Sequence, residues 1–237
     1  MSIDFTFLVL EEHPYGREML RVLLENGLAP SLIIQEVSRV GDEERRKFLE
    51  RIAGQPVPPR LTELISGRKL PVYCVRNHND EVCRELLRDH QPDLLVLGGT
   101  RIIKSPILEI PGQGTVNSHP GLLPWLRGSS SVGWALYKDL PQGATAHYVS
   151  PGIDVGDIIV SRELPVNHTD TYESLNYRIG ILAGELMAEA VKAIEDGTVS
   201  TTPQDPDLGE TFKVIPDELL EEGKQRLAQG RYSHYTQ

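Results

Sequence analysis

The sequence is poor in cysteine, in positive charge and in long apolar runs. Two of its 237 residues, Cys74 and Cys83, are cysteines, too few for a disulfide framework or a zinc quartet. So little cysteine is typical of a reducing compartment, and we expect a cytoplasmic protein. The 34 acidic residues outnumber the 24 Lys and Arg, which gives a net charge of -10. A field of that sign repels a polyphosphate backbone, so nucleic acid is not an expected partner.

Several common motifs are missing as well. The longest apolar runs, Phe5–Leu10 and Leu94–Leu97, fall far short of the roughly 18 residues of a membrane span, so we expect no membrane partner. No basic and then apolar leader opens the sequence, which argues against secretion. The glycine-rich nucleotide-binding signatures, the zinc-protease motif and the serine-hydrolase elbow are absent. The seven histidines show no metal-ligand spacing, so no metal is expected.

What the sequence does contain is an alternation of short apolar strands with amphipathic helices. Continuous apolar strands such as Phe5–Leu10 are typical of a parallel sheet that is covered on both faces. We therefore predict an α/β fold with a Rossmann-like, mostly parallel twisted sheet and helices on both faces. A long helix should begin with a capping box of Asp170 and Glu173 and end before Gly197. Further strands are predicted at 29–37, 71–75, 93–97, 115–119, 144–149, 158–164 and 211–215, and helices near 42–52, 80–89 (with Val82, Leu86 and Leu87 inward) and 217–228.

Three polar side chains lie where predicted strands end. Asn117 and His119 are two positions apart on an extended segment, so both should emerge on one face of a strand. Asp154 follows in a glycine-containing segment between two later strands. Ligands of open α/β sheets bind outside the carboxyl ends of the strands, so the three side chains could converge there. Singly, each would be an ordinary turn, core or loop residue, and their grouping is what favours a site. Ser129–Ser131 are interpreted as a turn or helix cap.

These residues resemble the N10-formyltetrahydrofolate-dependent formyltransferases. That family carries Asn-x-His-x-x-Leu-Leu-Pro-x-x-[Lys/Arg]-Gly and, further on, Asp-x-Gly-x-[Ile/Met], and the chain has NSHPGLLPWLRG at 117–128 and IDVGDII at 153–159. The resemblance implies that Asn117, His119 and Asp154 are the catalytic residues. His119 would stabilise an oxyanion and transfer a proton, Asn117 would donate to the oxyanion and position the nucleophile, and Asp154 would hold His119 charged and relay the proton.

The same resemblance implies N10-formyltetrahydrofolate as formyl donor and a small-molecule amine as acceptor. The folate would bind mostly backbone groups of a turn and of a later loop, with expected contacts at Leu97, Gly98, Gly99, Thr100, Arg101, Ile102, Ile103, His147, Val149, Ser150, Pro151, Gly152 and Ile153. Arg127 and Lys138 are candidates for the diphosphate of a nucleotide-linked acceptor. Thr145 and His147 are either site residues or ordinary strand residues. Gly121 departs from the family pattern, because a serine is common at that place.

The division of the chain bears on the acceptor. We predict residues 1–197 as the formyltransferase core, with the charged 42–68 region as a solvated excursion, and residues 198–237 as a short C-terminal extension. Such an extension is too short for the C-terminal β-barrel of methionyl-tRNA formyltransferases. At 209–217 it is similar to the strand and turn that follow the core in sugar N-formyltransferases and, before their barrel, in the tRNA enzymes.

Several acceptors stay open. The first strand is followed by Glu11 and Glu12, which would oppose a phosphate where glycinamide ribonucleotide formyltransferases have a Gly-Ser-Asn loop. We expect a nucleotide-linked amino sugar, with another small amine such as hydroxyornithine, or glycinamide ribonucleotide, as alternatives. A non-catalytic folate- or nucleotide-binding protein is the alternative outside catalysis. Homodimer formation is left open.

Overall fold

A seven-stranded sheet organises the computed structural model, which describes residues 3–236. The strands are β1 Phe5–Leu10, β2 Leu32–Glu36, β3 Val72–Val75, β4 Leu94–Gly98, β5 Thr115–His119, β6 Leu126–Gly128, β7 Gly143–Tyr148, β8 Ile158–Glu163 and β9 Glu210–Phe212. The helices are α1 Pro14–Glu25, α2 Arg39–Arg51, α3 Leu61–Leu64, α4 Glu81–His90, α5 Ser105–Leu108, α6 Ser131–Lys138, α7 Tyr172–Glu195 and α8 Asp217–Ala228. In residues 3–236, no helix combines the length and the apolar content that crossing a membrane requires.

The strand order determines where a crevice forms at the carboxyl ends of the parallel strands. The order is β3-β2-β1-β4-β5-β7-β8, with parallel pairing from β3 to β5 and antiparallel pairing of β7 with β5 and β8. The predicted mostly parallel sheet is thus confirmed. β1 and β4 are buried along their whole length, since helices cover both faces. The chain winds outward from β1 to β3 and then returns to β4 on the other side of β1. A crevice therefore opens at the carboxyl ends of β1 and β4.

Helix α7 begins one residue later than its predicted cap. Thr171 is the N-cap residue, and its hydroxyl accepts from the N–H of Ser174 while the Ser174 hydroxyl accepts from the N–H of Thr171. The predicted capping box of Asp170 with Glu173 is therefore wrong. The Asp170 carboxylate instead accepts from the N–H of Asn167 and pairs with Arg178, which closes the turn before the helix.

Helix α4 turns a different face to the core than predicted. Cys83 and Leu87, four positions apart, are fully buried, whereas Val82 is 55% exposed and Leu86 is half-buried. The prediction of an inward Val82 is wrong. Asp80 caps the helix by accepting from the N–H of Cys83, and this start sets the rotation that turns Cys83 inward.

The 42–68 excursion is not simply solvated. Phe48 of α2 packs against the rings of His13 and Tyr15, with centroid separations of 5.0 Å and 5.8 Å. Ile52 and Leu61 are almost fully buried. Most charged residues of α2 face solvent, and so do its apolar residues Val40 and Leu49, while Phe48 covers the start of α1. The prediction of a solvated excursion is thus wrong for Phe48, Ile52 and Leu61.

The C-terminal extension packs onto the core. β9 pairs in parallel with β6, with Gly128 opposite Phe212. Leu227 of α8 and Tyr232 join an apolar cluster with Leu136 of α6 and Leu175 of α7. The boundary at residue 197 stays a prediction, but residues 198–236 share a hydrophobic cluster with the helices that precede them.

Candidate active site

The antiparallel strands β5 and β7 place four polar side chains together on one face. Asn117 and His119 alternate with Ser118 along β5, so their side chains share one face. The register with β7 sets His147 opposite Asn117 and Thr145 opposite His119. Of the predicted convergence, this register accounts for Asn117 and His119, and Asp154 reaches them from the loop that follows β7.

His119 is held by acceptors of unequal strength. The ring is almost fully buried, and Nε2 lies 2.7 Å from the carbonyl oxygen of Leu126 and 3.1 Å from Oγ of Ser131. A carbonyl oxygen can only accept, so Nε2 carries a proton and donates it to Leu126. Nδ1 lies 3.3 Å from Oδ2 of Asp154, longer than the about 2.7–2.9 Å of a strong charge-assisted hydrogen bond. Nε2 therefore anchors the ring, and Nδ1 is the nitrogen that can change partners.

Asp154 occupies a strained position in the loop between β7 and β8. Its φ is +53°, in the left-handed region that non-glycine residues rarely adopt. Oδ2 accepts from the N–H of Gly128 at 2.8 Å, and Oδ1 lies 3.7 Å from Nε2 of His147. Such backbone strain is concentrated at functional sites. The carboxylate is therefore fixed between two histidines.

His147 orients the amide of Asn117. Burial, and then the charge of His119, lower the pKa of His147 to about 4, although Asp154 acts in the opposite direction. The ring is thus neutral near pH 7, and its Nδ1 donates to the carbonyl oxygen of Tyr148 at 2.8 Å. Nε2 is then an acceptor for Nδ2 of Asn117, 3.3 Å away. The second N–H of the Asn117 amide is left for another partner.

Tyr15 and Thr145 support the strand end. The Tyr15 hydroxyl donates to the carbonyl oxygen of Ser118 at 2.8 Å, and burial raises the pKa of this phenol, so it stays a donor. Thr145 is fully buried, and its hydroxyl donates to the carbonyl oxygen of Gly121 while accepting from the N–H of Leu123. Of the two roles left open for Thr145, the structure supports the structural one.

The predicted folate turn at Leu97–Ile103 is held from outside. Arg101 pairs with the buried carboxylate of Glu36 at 2.5 Å. The Asn79 side chain donates to the carbonyl oxygen of Ile102 and accepts from the N–H of Lys104. Within residues 3–236, the N–H groups of residues 99–103 meet no backbone acceptor. The turn is thus rigid while its own N–H groups stay available to a ligand.

The turn differs from residue to residue in exposure. Leu97 and Gly98 end β4 and are buried, Gly99 adopts a φ of +70°, and Thr100 and Arg101 are half-buried. Ile102 is 70% exposed and Ile103 is buried.

The second predicted folate segment leaves β7 at Tyr148. Val149 donates its N–H to the carbonyl oxygen of Thr115, which extends the pairing with β5 by one residue. Beyond it, Ser150 is half-buried, Pro151 and Gly152 are exposed, and Ile153 is 45% exposed. The folate turn follows β4 and this loop follows β7, with β5 between the two strands and β7 antiparallel to both β4 and β5. That both segments line one folate pocket stays a prediction.

The two predicted acceptor residues are engaged within the protein. Arg127 is almost fully buried, and its guanidinium donates to the side chain of Gln204 and to the carbonyl oxygen of Asp205. Because its donors meet partners within the protein, a contact of Arg127 with a diphosphate would require these hydrogen bonds to change, and this role stays a prediction. Lys138 pairs with Glu210 at 3.1 Å and lies over the ring of Phe212. Its role with an acceptor stays a prediction.

Three residues of the site were missed from the sequence. Ser131, interpreted as part of a turn or cap, contacts His119 with its side chain. The N-cap residue of α6 is Ser130, and its side chain accepts no cap hydrogen bond. A Cβ at Gly121 would lie 2.8 Å from Nε2 of His119 and 3.0 Å from Cβ of Ser131, so the glycine leaves room for this serine. Gly128 and Gln204 are distant from Asp154 in the sequence and meet its loop only in the folded chain. No local sequence pattern predicts these two contacts.

Across residues 3–236, no group of three or more His, Cys, Asp or Glu side chains is arranged to hold a metal ion. The expectation of a metal-free site stays a prediction.

Comparison with known protein families identifies the family of the chain. Residues 25–191, more than half of the chain, match the family described as Formyl transferase. The chain belongs to the formyl transferase family. The matched segment contains Asn117, His119 and Asp154, so the resemblance that these residues carry is confirmed.

Among formyl transferase sequences, the methionyl-tRNA formyltransferase of Syntrophus aciditrophicus (strain SB) is 27% identical over 201 residues, which cover 84% of this chain and 62% of that protein. Across eight of the methionyl-tRNA formyltransferases that it matches, the chain spans between 41% and 62% of their length.

Solved structures of the family share the fold. Phosphoribosylglycinamide formyltransferase from Anaplasma phagocytophilum superposes with a TM-score of 0.64 at 21% identity, over 91% of this chain and all of the other. The formyltransferase PseJ from Anoxybacillus kamchatkensis, solved with UDP-4,6-dideoxy-4-formamido-L-AltNAc and tetrahydrofolate, superposes with a TM-score of 0.55 at 22% identity, over 97% of this chain and 95% of the other.

Proposed function

We propose that this chain is an N-formyltransferase that moves a formyl group from N10-formyltetrahydrofolate to the amino group of a small molecule. One observation carries the proposal: Asn117, His119 and Asp154 converge beside the carboxyl end of β4, with Nδ1 of His119 facing Asp154 and the Asn117 amide turned by His147. Family membership supports the reaction class.

The residues present fit the folate. The 99–103 turn offers N–H groups that meet no backbone acceptor within residues 3–236, and Arg101 and Asn79 hold its shape from outside. The pterin ring of a folate carries hydrogen-bonding edges that such backbone groups can match. When bound, N10-formyltetrahydrofolate supplies the electrophilic formyl carbon, and a structural neighbour was solved with tetrahydrofolate.

Asn117 and His119 provide the donors that the chemistry needs. As the acceptor nitrogen bonds to the formyl carbon, the formyl oxygen gains negative charge. The free N–H of Asn117 and the loosely held Nδ1–H of His119 are placed to donate to that oxygen. Such donors, fixed before the reaction, are worth about 10²–10³ in rate each. Strong anchoring of Nε2 to Leu126 keeps the ring in place while Nδ1 changes partners.

Asp154 and His119 handle the proton. The attacking nitrogen must lose one proton, and N10 must gain one when its bond to the formyl carbon breaks, so the transfer needs no net proton. The Asp154 side chain is 16% exposed and adjoins Nδ1 of His119, so the carboxylate can accept the proton from the amine. Nδ1 gives its own proton to N10 and takes one back from Asp154, while Nε2 stays bound to Leu126. The fixed hydrogen bond from Gly128 holds the carboxylate in place for this relay.

For the acceptor we propose a nucleotide-linked amino sugar. The neighbour solved with a UDP-linked formamido sugar superposes over nearly the whole length of both chains. The start of α1 also suits an acceptor phosphate. Burial is the main cause that lowers the pKa of His13 to about 3. The charges of Arg51, Arg17 and Arg45 lower it further, so a phosphate at this helix N-terminus would lie near three cations.

Glycinamide ribonucleotide is a second candidate that one observation favours. Glu12, which was expected to oppose a phosphate, pairs with Arg17 at 3.0 Å. Its charge is thus balanced within the protein, and the objection to a phosphate at this place is weaker than the sequence indicated.

Mass spectrometry distinguishes the candidates. The protein is incubated with N10-formyltetrahydrofolate and, separately, with UDP- and dTDP-linked amino sugars, glycinamide ribonucleotide and hydroxyornithine. We expect a formyl mass gain on a nucleotide-linked amino sugar, which His119→Asn abolishes. A formyl mass gain on another amine alone would contradict the proposed acceptor but not the proposed reaction. The absence of transfer to every one of these amines would contradict the proposed activity.

A further inference from the structure

The side chain of Gln204 joins the C-terminal extension to the loop that carries Asp154. Its Nε2 donates to the carbonyl oxygens of Asp154 at 2.9 Å and Gly156 at 2.6 Å. Its Oε1 accepts from Nε of Arg127 at 3.3 Å. One amide thus uses both of its ends and connects three segments that are distant in sequence.

The strand beside Arg127 is fixed by the same extension. Arg127 also donates to the carbonyl oxygen of Asp205, and Gly128 opposite Phe212 lies within the parallel pairing of β6 with β9. Gly128 is the residue whose N–H binds the Asp154 carboxylate. The extension therefore positions Asp154 in two ways. Gln204 binds the carbonyl oxygen of Asp154, and β9 holds the strand whose Gly128 N–H binds the Asp154 carboxylate.

The conformation of Asp154 explains why such support is needed. A non-glycine residue in the left-handed region costs on the order of 1–3 kcal/mol and persists only where the surroundings over-determine it. Gln204 binds the carbonyl of Asp154 and the carbonyl two residues later, so it restrains the backbone on the C-terminal side of the strained residue.

We propose that Gln204 is a positioning residue, held by Arg127, that sets the separation between Oδ2 of Asp154 and Nδ1 of His119. This inference rests on the proposed function, because that separation governs the proton relay assigned there to Asp154 and His119. Gln204 itself touches neither the formyl donor nor the amine in this role.

Two substitutions isolate the hydrogen bonds to the loop. Gln204→Glu keeps an acceptor for Arg127 but turns carboxylate oxygens toward the carbonyls of Asp154 and Gly156, which they repel. Gln204→Leu removes all three contacts. Gln229→Glu, an exposed glutamine-to-glutamate change at the end of α8, is the matched control. We expect both Gln204 variants to lose about 10²-fold in kcat while KM for the formyl donor changes less than threefold, as for a misplaced catalytic group.

The amide of Gly128 provides a readout that needs no activity. Because this N–H donates to the Asp154 carboxylate, its hydrogen exchange measured by NMR reports where the carboxylate lies. We expect its exchange to accelerate about tenfold in both Gln204 variants, as for a weakened hydrogen bond to a charged group, with amides of α7 unchanged. Gln229→Glu should leave both measurements as in the wild type.

Unchanged protection of Gly128 in the Gln204 variants overturns the inference, whatever happens to kcat. Wild-type kcat in Gln204→Glu also overturns it, because contact with Arg127 alone would then suffice. If the wild-type protein formylates no amine, the proposed function fails, while the Gly128 exchange still decides whether Gln204 positions Asp154.

Discussion

At the scale of single residues, the site depends on which groups are already committed to partners. Nε2 of His119 is bound to Leu126, and His147 has its own carbonyl acceptor, so each ring has one nitrogen left for the site. Asn117 is turned by one of these nitrogens, and Asp154 lies beside the other. The direction of each donor is therefore fixed before a ligand arrives.

Asp154→Asn tests the charge of the carboxylate without changing its size. The amide oxygen can still accept from Gly128, so the loop should keep its shape, but the neutral group can neither stabilise a charged His119 nor carry a proton. We expect kcat for formyl transfer to fall by at least about 10²-fold, with a thermal midpoint close to that of the wild type. Steady-state kinetics and thermal melting measure the two quantities.

Asp157→Asn in the same loop is the control for this substitution. Asp157 is exposed, and within residues 3–236 the carboxylate beside His119 and His147 is that of Asp154, so the Asp157 variant should keep wild-type activity. An Asp154→Asn protein that is as active as Asp157→Asn would remove Asp154 from the catalytic residues.

At the scale of secondary-structure elements, close approach of α1 to β4 narrows the crevice. Gly16 makes this approach possible, because a Cβ there would lie 2.1 Å from the carbonyl oxygen of Gly98 and 2.5 Å from a methyl group of Val9. Tyr15, the neighbouring residue, reaches the end of β5 from the same helix. The position of α1 thus affects both the folate turn and the catalytic strand.

Gly16→Ala should therefore destabilise the protein more than an ordinary glycine replacement. The added methyl group must push α1 from β4, and overpacking of this kind costs about 1–3 kcal/mol or more in the free energy of unfolding. Gly112→Ala is the matched control, since nothing lies within 4 Å of its added carbon. Urea denaturation followed by circular dichroism measures both, and equal midpoints for the two variants would contradict the prediction.

Local sequence patterns predicted the elements better than their contacts. The bounds of β1 and β5 agree with the prediction because each is a short run of strand formers between turn-forming residues. The inward face of α4 was missed because Val82 and Cys83 are both apolar neighbours and fit a helical stripe almost equally well. Asn117 and His119 could be paired from their spacing alone, whereas Gln204 could not, since it lies 50 positions from Asp154.

At the scale of the whole molecule, three buried histidines, His13, His78 and His147, couple folding to pH, because burial lowers the pKa of each. The pKa of His147 is lowered to about 4 and that of His13 to about 3, in each case mainly by burial, from an ordinary value of 6.5. Below pH 6.5 the unfolded chain binds protons that the folded chain does not take up. Stability therefore decreases as the pH falls from about 6.5 toward about 4.

His13 and His147 should each contribute up to about 1.4 kcal/mol per pH unit to this decrease. We expect the free energy of unfolding, measured by urea denaturation between pH 7.5 and 4.5, to fall less steeply for His13→Gln than for the wild type. His234→Gln, which alters an exposed histidine, serves as the control. A slope in His13→Gln that equals the wild-type slope would show that His13 is not the source.

The pairing of β6 with β9 also has a consequence for the order in which the protein matures. A ribosome delivers the strands β1 to β8 and the long helix before it delivers residues 204–212, and domains begin to fold from the amino end during synthesis. The nascent chain can therefore assemble its central sheet, with Asn117 and His119 in place, while Asp154 still lacks the partners that hold its loop. We therefore expect Asp154 to reach its position beside His119 only after residues 204–212 have been synthesised.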